Sequence, residues 1–223
     1  MIPTTKQWIA LALATLGFIY SSMSAAPPAV GKSVSMFDGT SLMGWEGSAK
    51  IWRIEDGCLT GGSHVEEVKQ NEFLATTRDY TNFIVRFQIK LTGTNGFINS
   101  GFQIRSQRVP NNSEMAGYQC DYGEPNWYGA VYDESRRNKV MSPSDMTAIR
   151  PVLKLNGWND YVIQANGPRI TTWINGVMGT DYTEKDPAMP DWGKLGIQIH
   201  GGGKAMVQVR RISIEELPPS AAR

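Results

Sequence analysis

The stretch that decides the fold is FIVRFQIKL, residues 83–91, in which every second residue is apolar. One set of alternate side chains is wholly apolar and comprises Phe83, Val85, Phe87 and Ile89. The other set is mixed and comprises Ile84, Arg86, Gln88 and Lys90. Because successive side chains of a strand point to opposite faces of a sheet, this alternation predicts a strand with one face in a core.

The remainder of the chain repeats this kind of segment, with short apolar runs separated by turn signals. IWRIEDGCLTGG, residues 51–62, predicts a hairpin whose turn lies at residues 55–57. GWNDYVIQANGPRITTWINGV, residues 157–177, predicts two strands joined by an Asn-Gly-Pro turn. No window longer than about ten residues carries the apolar stripe of a helix. We therefore predict an all-β fold, either a β-sandwich or a jelly roll, with two antiparallel sheets.

Length and composition favour one globular domain. The chain has 223 residues, of which 41% are hydrophobic and 10% aromatic. We place the domain at residues 33–217, followed by a short polar tail at residues 218–223. The net charge is +1, and neither a basic patch nor a stacking motif is visible, so no nucleic-acid partner is predicted.

The N-terminal segment has the features of a signal peptide, which we place at residues 1–25. Lys6 precedes an apolar run from Trp8 to Tyr20 that is too short for a typical membrane span. Small residues follow, and cleavage after Ser24 or Ala26 fits them. The alternative is an uncleaved anchor. We predict a secreted or periplasmic protein that is not held at a membrane after cleavage.

The chain has two cysteines, Cys58 and Cys120. In an exported protein they can form a disulfide. Both lie in apolar strand patterns, so two buried free thiols are the alternative. The sequence leaves the choice open, because it does not place the two Cα atoms.

Alternation also assigns side chains to the faces of four predicted strands. Opposite an apolar set, these strands present amide, charged and aromatic groups: Gln103, Arg105, Gln119, Asp121, Trp173, Gln198 and His200. Amides, guanidinium and carboxylate groups hydrogen-bond to hydroxyls, and an indole ring can stack on a pyranose. If the strands share one sheet, this face predicts a sugar-binding site. The alternative is a solvated sheet face, for which Lys, Glu and Thr are more typical.

Two further features bear on chemistry. His200 ends a strand and precedes three glycines, which allow close backbone approach to a ligand. The segment at residues 125–151 is predicted to be mostly loop, with a short strand or a turn of helix. It carries Tyr132 and the charge cluster of Asp133, Glu134, Arg136 and Arg137. The cluster either closes over the sheet and supplies an acid or base, or is a solvated ion-pair network.

Several other chemistries lack their motifs. The chain has no G-x-S-x-G elbow, no P-loop and no G-x-G-x-x-G. Two scattered histidines and no paired cysteines argue against a zinc site. We predict no cofactor and no dedicated metal site. A divalent cation held by Asp and carbonyl oxygens stays open, because such sites leave little trace in sequence.

The order of the motifs resembles the 3-keto-disaccharide hydrolase domain family over about residues 33–217. The matching segments are MFDGTSLMGWEG (36–47), IWRIEDGCLTGG (51–62), NSG (99–101), AGYQCDYG (116–123) and LGIQIHGGG (195–203). The resemblance implies a concanavalin A-like jelly roll, a secreted or periplasmic location and a carbohydrate small molecule as ligand. It also implies cleavage of glycosidic bonds in sugars oxidised at C3.

A ketone at C3 acidifies the C2 proton, so cleavage of this kind can proceed by proton abstraction, elimination and hydration. On this basis the expected catalytic residues are His200, Asp121 and Glu134. The expected substrate-binding residues are Gln103, Arg105, Gln119, Tyr132, Arg137, Trp173 and Gln198. Many relatives carry Glu where this chain has Gln119, which keeps a non-catalytic, lectin-like carbohydrate-binding domain as the alternative.

Overall fold

A computed structural model describes residues 25–219 as two antiparallel β-sheets packed face to face. Within residues 25–219, fifteen strands and one helical turn follow one another. The first eight strands are β1 (Val34–Ser35), β2 (Trp45–Glu46), β3 (Trp52–Glu55), β4 (Cys58–Gly62), β5 (Glu72–Thr76), β6 (Phe83–Gly96), β7 (Asn99–Arg108) and β8 (Met115–Gly123). The remaining elements are β9 (Val131–Glu134), β10 (Lys139–Ser142), α1 (Met146–Ile149), β11 (Asn159–Asn166), β12 (Arg169–Ile174), β13 (Val177–Thr183), β14 (Lys194–Ile199) and β15 (Gly203–Glu216).

The strands divide into a first and a second sheet. The first sheet has the order β13-β12-β11-β6-β15-β4-β3, with β1 also paired to β15. The second sheet has the order β10-β9-β8-β7-β14-β5-β2. The prediction of an all-β sandwich of two antiparallel sheets is confirmed. The hairpin predicted at residues 55–57 is the turn between β3 and β4.

The alternation in β6 sets the core. Phe83, Val85, Phe87 and Ile89 are all buried between the sheets. The ring of Phe87 stacks on that of Phe102 in β7 of the second sheet, with 4.5 Å between the ring centroids. Burial of such aromatic and branched side chains contributes about 1.5–3 kcal/mol each. The core therefore fixes the apolar faces of β6 and β7 inward and leaves the opposite faces outward.

The structure resolves the cysteine alternatives. Cys58 lies in the first sheet and Cys120 in the second, and both are buried free thiols. The segment at residues 125–151 is mostly irregular, but contains the short strands β9 and β10 and the helical turn α1. Across residues 25–219, no helix is both long and apolar enough to span a membrane. The predicted signal peptide falls on residues that lie, except for Ala25, outside the described part.

Candidate functional site

The outer face of the second sheet carries a small cavity over strands β9, β8, β7 and β14. Its volume is about 170 Å³, below the 300–1,000 Å³ typical of sites for drug-sized ligands. It therefore has room for about one sugar ring. Its lining residues are Phe97, Asn99, Gln119, Asp121, Trp127, Tyr132, Glu134 and His200.

Strand register brings the polar groups of this floor together. Gln119 on β8 lies opposite Tyr132 on β9, and Gln198 on β14 lies opposite Gly101 on β7. Gly101 also lies opposite Asp121 on β8. The sugar-site hypothesis required four strands in one sheet, and three of them, β7, β8 and β14, are neighbours in the second sheet, which β9 extends on the β8 side.

Because Gly101 has no side chain, the side chain of Gln119 can pass over β7 and reach Gln198. A Cβ at this position would lie 2.6 Å from Cγ of Gln119, so only glycine accommodates the Gln119 side chain across β7. Gln119 Nε2 donates to Asp121 Oδ1 at 2.8 Å and to Gln198 Oε1 at 3.1 Å. Gln198 Nε2 donates to Glu134 Oε2 at 3.3 Å. Two amides therefore connect two carboxyl groups within an array that spans the four strands β9, β8, β7 and β14.

Both carboxyl groups have raised pKa values. Burial raises the pKa of Asp121 well above its ordinary value, although the hydrogen bond from Gln119 opposes the change. Burial also raises the pKa of Glu134, and the negative charge of Glu114 adds to the effect. A raised pKa keeps a carboxyl group protonated closer to neutral pH, which suits a proton donor.

His200 stands on the β14 side of the cavity. Its Nδ1 lies 2.7 Å from the carbonyl oxygen of Gly201. A carbonyl only accepts hydrogen bonds, so Nδ1 carries a proton and Nε2 is the ring nitrogen that can take one. The Phe97 ring packs edge-on against the imidazole at 4.6 Å.

The glycines after His200 make this arrangement possible. A Cβ on Gly203 would lie 2.1 Å from the Phe97 carbonyl oxygen, and a Cβ on Gly201 would lie 2.6 Å from Cα of Gln70. Gly202 adopts φ +82°, a conformation that glycine adopts without strain. The triple glycine therefore lets two backbone segments approach the strand end that carries the histidine.

Aromatic rings flank the cavity on both sides. Trp127 and Tyr132 pack edge-on, 6.2 Å apart, on the β9 side. Phe97 lies on the β14 side, beside His200. β9 and β14 are separated by three strand spacings, or about 14 Å. The cavity thus has a polar floor between aromatic walls, as expected of a carbohydrate site.

The structure places six of the ten predicted site residues in or directly beside the cavity: His200, Asp121, Glu134, Gln119, Tyr132 and Gln198. The other four lie elsewhere. Gln103 is on the same face, paired with Gln119, but is fully buried, and its Nε2 donates to the Met115 carbonyl. It is a structural neighbour of the floor.

Arg105 turns away from the cavity because β7 is irregular at this point. The pairing with β8 shifts between Ile104 and Gln107, and Arg105 adopts φ +49°. A bulge of this kind breaks the strict alternation of side chains. The guanidinium group of Arg105 is buried and donates to carbonyl oxygens of Thr81 and Gly167.

The prediction that Trp173 shares this face is wrong. Trp173 lies on β12 of the first sheet, and its Nε1 donates to the Ala25 carbonyl at 2.7 Å. Alternation predicted correctly that the ring faces away from the core set of its strand, but alternation does not assign strands to sheets.

Arg137 belongs to a buried ion cluster on the opposite side of β9. It pairs with Asp133, and its Nη2 lies 2.7 Å from Glu184 Oε2. Tyr118 OH donates to the same Glu184 oxygen at 2.6 Å. Asp133 pairs with Tyr118 in register, whereas Glu134, the next residue, faces the cavity. The charge cluster is therefore divided between the two faces of one strand.

Three cavity residues, Phe97, Asn99 and Trp127, were not predicted. Asn99 begins β7, where alternation from Gly101 would have placed it on the correct face. Phe97 and Trp127 lie in connections between strands, where no period assigns a direction.

The cavity offers oxygen ligands from Asn99, Asp121 and Glu134, a donor type that Ca²⁺ and Mg²⁺ use. Among residues 25–219, however, no three His, Cys, Asp or Glu side chains are grouped to hold a metal ion. The absence of a cofactor stays a prediction.

Solved structures share this fold. A proposed glycosyl hydrolase from Parabacteroides distasonis superposes with a TM-score of 0.63 at 19% identity, covering 83% of this chain and 94% of that one. A β-glucanase from Bacillus licheniformis gives 0.55 at 11% identity, covering 85% and 100%. The carbohydrate-binding module CBM66 from Bacillus subtilis gives 0.51 at 14% identity, covering 78% and 96%.

At such low identity these structures show the fold alone, and it occurs in both sugar-cleaving and sugar-binding proteins. No curated protein matches the chain. The match to a family model is decisive, because it runs over residues 32–215 and so covers most of the sequence. The chain belongs to the 3-keto-alpha-glucoside-1,2-lyase-like domain family.

Proposed function

We propose that this protein is an exported carbohydrate-active enzyme that cleaves the glycosidic bond of 3-keto-glycosides. The observation that carries the proposal is the composition of the cavity. One histidine whose Nε2 can take a proton, a buried Asp121 and a half-buried Glu134, both with raised pKa values, surround a space for about one sugar ring. Family membership supplies the reaction class.

The proposed reaction begins at C2 of the sugar. His200 Nε2 takes the C2 proton, which the C3 ketone acidifies, and the electron pair of that bond moves into an enolate with its charge on the C3 oxygen. The enolate electrons then form the C1=C2 double bond and expel the C1 oxygen. Addition of water across C1=C2 gives the free 3-keto sugar.

The carboxyl groups serve the two oxygens that gain charge. Asp121, protonated in its buried position, donates a hydrogen bond to the C3 oxygen, as neutral carboxylic acids do in other enolate-forming sites. Glu134 gives its proton to the leaving C1 oxygen. The aromatic rings of Trp127 and Tyr132 form the side of the cavity on which a sugar or aglycone can pack.

The direct test is incubation of the purified protein with 3-keto-glucosides in deuterated buffer, followed by NMR. The proposal expects aglycone release and deuterium at C2 of the recovered keto sugar. His200→Gln should lower kcat by about 10²–10⁴-fold, the range of general base catalysis. Glu134→Gln should slow glycosides with poor leaving groups more than activated ones. Binding of a 3-keto-glucoside with neither release nor C2 exchange would exclude the enzyme.

Binding without release or exchange is what the second candidate function predicts, namely a carbohydrate-binding domain without turnover. It is supported by the fold shared with a carbohydrate-binding module and by Gln119, where the resemblance to the family expects Glu. Calorimetry with unoxidised and 3-keto glucosides separates the two. Equal affinity for both kinds of sugar favours the binding domain, since an enolate-forming site should discriminate for the ketone.

Export is proposed from residues 1–25 alone. Fractionation of cells that express the full chain should find a shortened protein outside the cytoplasm. N-terminal sequencing should give a start at Ala25 or Pro27, as the two cleavage sites require. Full-length protein in the cytoplasm would contradict export without affecting the proposed reaction.

A further inference from the structure

The hydrogen bonds under the cavity form one continuous chain from Asp121 through Gln119 and Gln198 to Glu134. The three contacts measure 2.8, 3.1 and 3.3 Å. Asp121, Gln119 and Gln198 are buried, so water does not compete at these positions. The chain crosses β7 only because Gly101 has no side chain.

The hydrogen bonds run outward from Gln119 toward the two carboxyl groups, and both carboxyl groups accept. Gln119 Nε2 serves both Asp121 and Gln198, and Gln198 Nε2 serves Glu134. If the amide group of Gln119 flips, its oxygen must accept one hydrogen bond from a protonated Asp121 carboxyl group and one from Nε2 of Gln198. The amide group of Gln198 then also flips, and its oxygen must accept a hydrogen bond from a protonated Glu134 carboxyl group. The array therefore has two consistent directions: one in which both carboxyl groups accept, and one in which both donate.

In the observed arrangement, the described residues leave one buried amide oxygen of this array without a hydrogen-bond donor, and flipping both amides would supply donors to it. Within residues 25–219, the buried Oε1 of Gln119 has no hydrogen-bond donor. In the reversed direction the amide oxygen would receive two donors. The two arrangements thus satisfy different atoms of the same four side chains.

From this geometry we propose that Gln119 and Gln198 form an amide relay that couples the proton states of Asp121 and Glu134. The proposal rests on the proposed function for its purpose, since that function requires Asp121 and Glu134 to be protonated together when the substrate binds. In the observed direction it anchors Asp121 Oδ1 and Glu134 Oε2. The other oxygen of each carboxyl group is free to donate its proton or a hydrogen bond to the substrate. Gln119 and Gln198 are positioning residues in this scheme.

Other titratable groups also face the pair and belong in any interpretation of its pH dependence. Tyr132 and His200 line the same cavity. Glu114 acts on Glu134 by charge, and it accepts a hydrogen bond from Ser135 Oγ at 2.9 Å. Asp133, the neighbour of Glu134 in the chain, is held by Arg136 and Arg137 on the opposite face.

The experiment is a carboxyl ¹³C NMR titration of Asp121 and Glu134 in the complete mature chain. Repulsion between two carboxylates spreads their titrations apart, whereas the relay opposes the spread because it favours joint protonation. In the wild type the two midpoints should lie closer together than in either relay variant. In Gln119→Met and in Gln198→Met they should separate by about one pH unit. Gln103→Met is the matched control, because it removes another buried amide of this face that is outside the relay.

Kinetics add a second readout. Each relay variant should lose about tenfold in kcat, and the double variant should lose no more than either single one, because one break already ends the coupling. Wild-type midpoints that are as far apart as those of both relay variants would overturn the relay, whatever the activity. If Gln119→Met does not fold, Gln198→Met on another strand gives the same test. Coupled titration in a protein without turnover would retain the relay and reject the proposed function.

Discussion

Arg105 Nη1 lies 2.6 Å from the carbonyl oxygen of Gly167, so a strand of the second sheet is bonded to a turn of the first. The same guanidinium donates to the Thr81 carbonyl at 2.9 Å and to Asn82 Oδ1 at 3.0 Å. Asn82 Oδ1 in turn receives the Gly167 N–H. Arg105 therefore connects the two sheets at one end of the sandwich.

We expect Arg105→Ala to lower the free energy of unfolding by about 3 kcal/mol, because buried carbonyl acceptors lose a charged donor. The KM of any keto-glycoside should change less than twofold. Urea unfolding and steady-state kinetics measure the two effects. Arg105→Lys is the control, and it should recover little stability, since an ammonium group cannot reproduce the fork. A stable variant with raised KM would return Arg105 to the sugar site.

Arg105 and Trp173 show where sequence analysis stopped. Alternation assigned Phe83, Phe87 and Phe102 to the core, because burial enforces the period of two along each strand. A bulge at Arg105 breaks that period locally, and no residue type announces it. The prediction for Trp173 was wrong for another reason. Strands of the two sheets carry the same alternation, and only the long-range pairing of strands tells the sheets apart.

The two tryptophans offer a matched comparison. Trp127 lines the cavity, whereas Trp173 lies on the other sheet. We expect Trp127→Ala to weaken sugar binding about tenfold, equivalent to 1.4 kcal/mol, through the loss of a stacking surface. Trp173→Phe should bind with wild-type affinity. Calorimetry with the same 3-keto-glucoside measures the affinity of both variants. Weakened binding in Trp173→Phe would mean that the sugar binds outside this cavity.

Gly101→Ala tests the floor of the cavity. The added methyl group would displace Gln119 and break its contact with Gln198. We expect a loss of about tenfold or more in kcat/KM, as small misplacements cause in catalytic sites. The double variant Gly101→Ala/Gln119→Ala should be no less stable than Gln119→Ala, because the methyl group then has space. Full activity of Gly101→Ala would show that the amide contact is dispensable.

The raised pKa of Asp121 predicts the pH dependence of stability. The folded protein holds this proton at pH values where the unfolded chain, with an Asp pKa of about 3.9, has released it. The contribution to stability is therefore complete below about pH 4 and declines as pH rises toward the folded value. The slope is at most about 1.4 kcal/mol per pH unit for one group.

Asp121→Asn should flatten this decline when urea unfolding is measured from pH 5 to pH 8. Glu184 gives the opposite dependence in a lower range. Burial alone would raise its pKa, but hydrogen bonds from Arg137 and Tyr118 lower it overall. Its contribution is lost as pH falls below about 4.3. An Asp121→Asn profile parallel to that of the wild type would mean that Asp121 is ionised throughout this range.

The charge of the cavity predicts which sugars enter it. Among residues 25–219, its lining contains Asp121 and Glu134 and no lysine or arginine, so a carboxylate on the sugar would meet no lysine or arginine of this part of the chain. We expect a 3-keto-glucuronide to bind at least about tenfold more weakly than the neutral 3-keto-glucoside at pH 8, where the cavity carboxyl groups are more ionised. The difference should shrink at pH 5, as protonation removes the repulsion, and also in Glu134→Gln. Equal affinity at both pH values would mean that the charged C6 group lies outside the cavity.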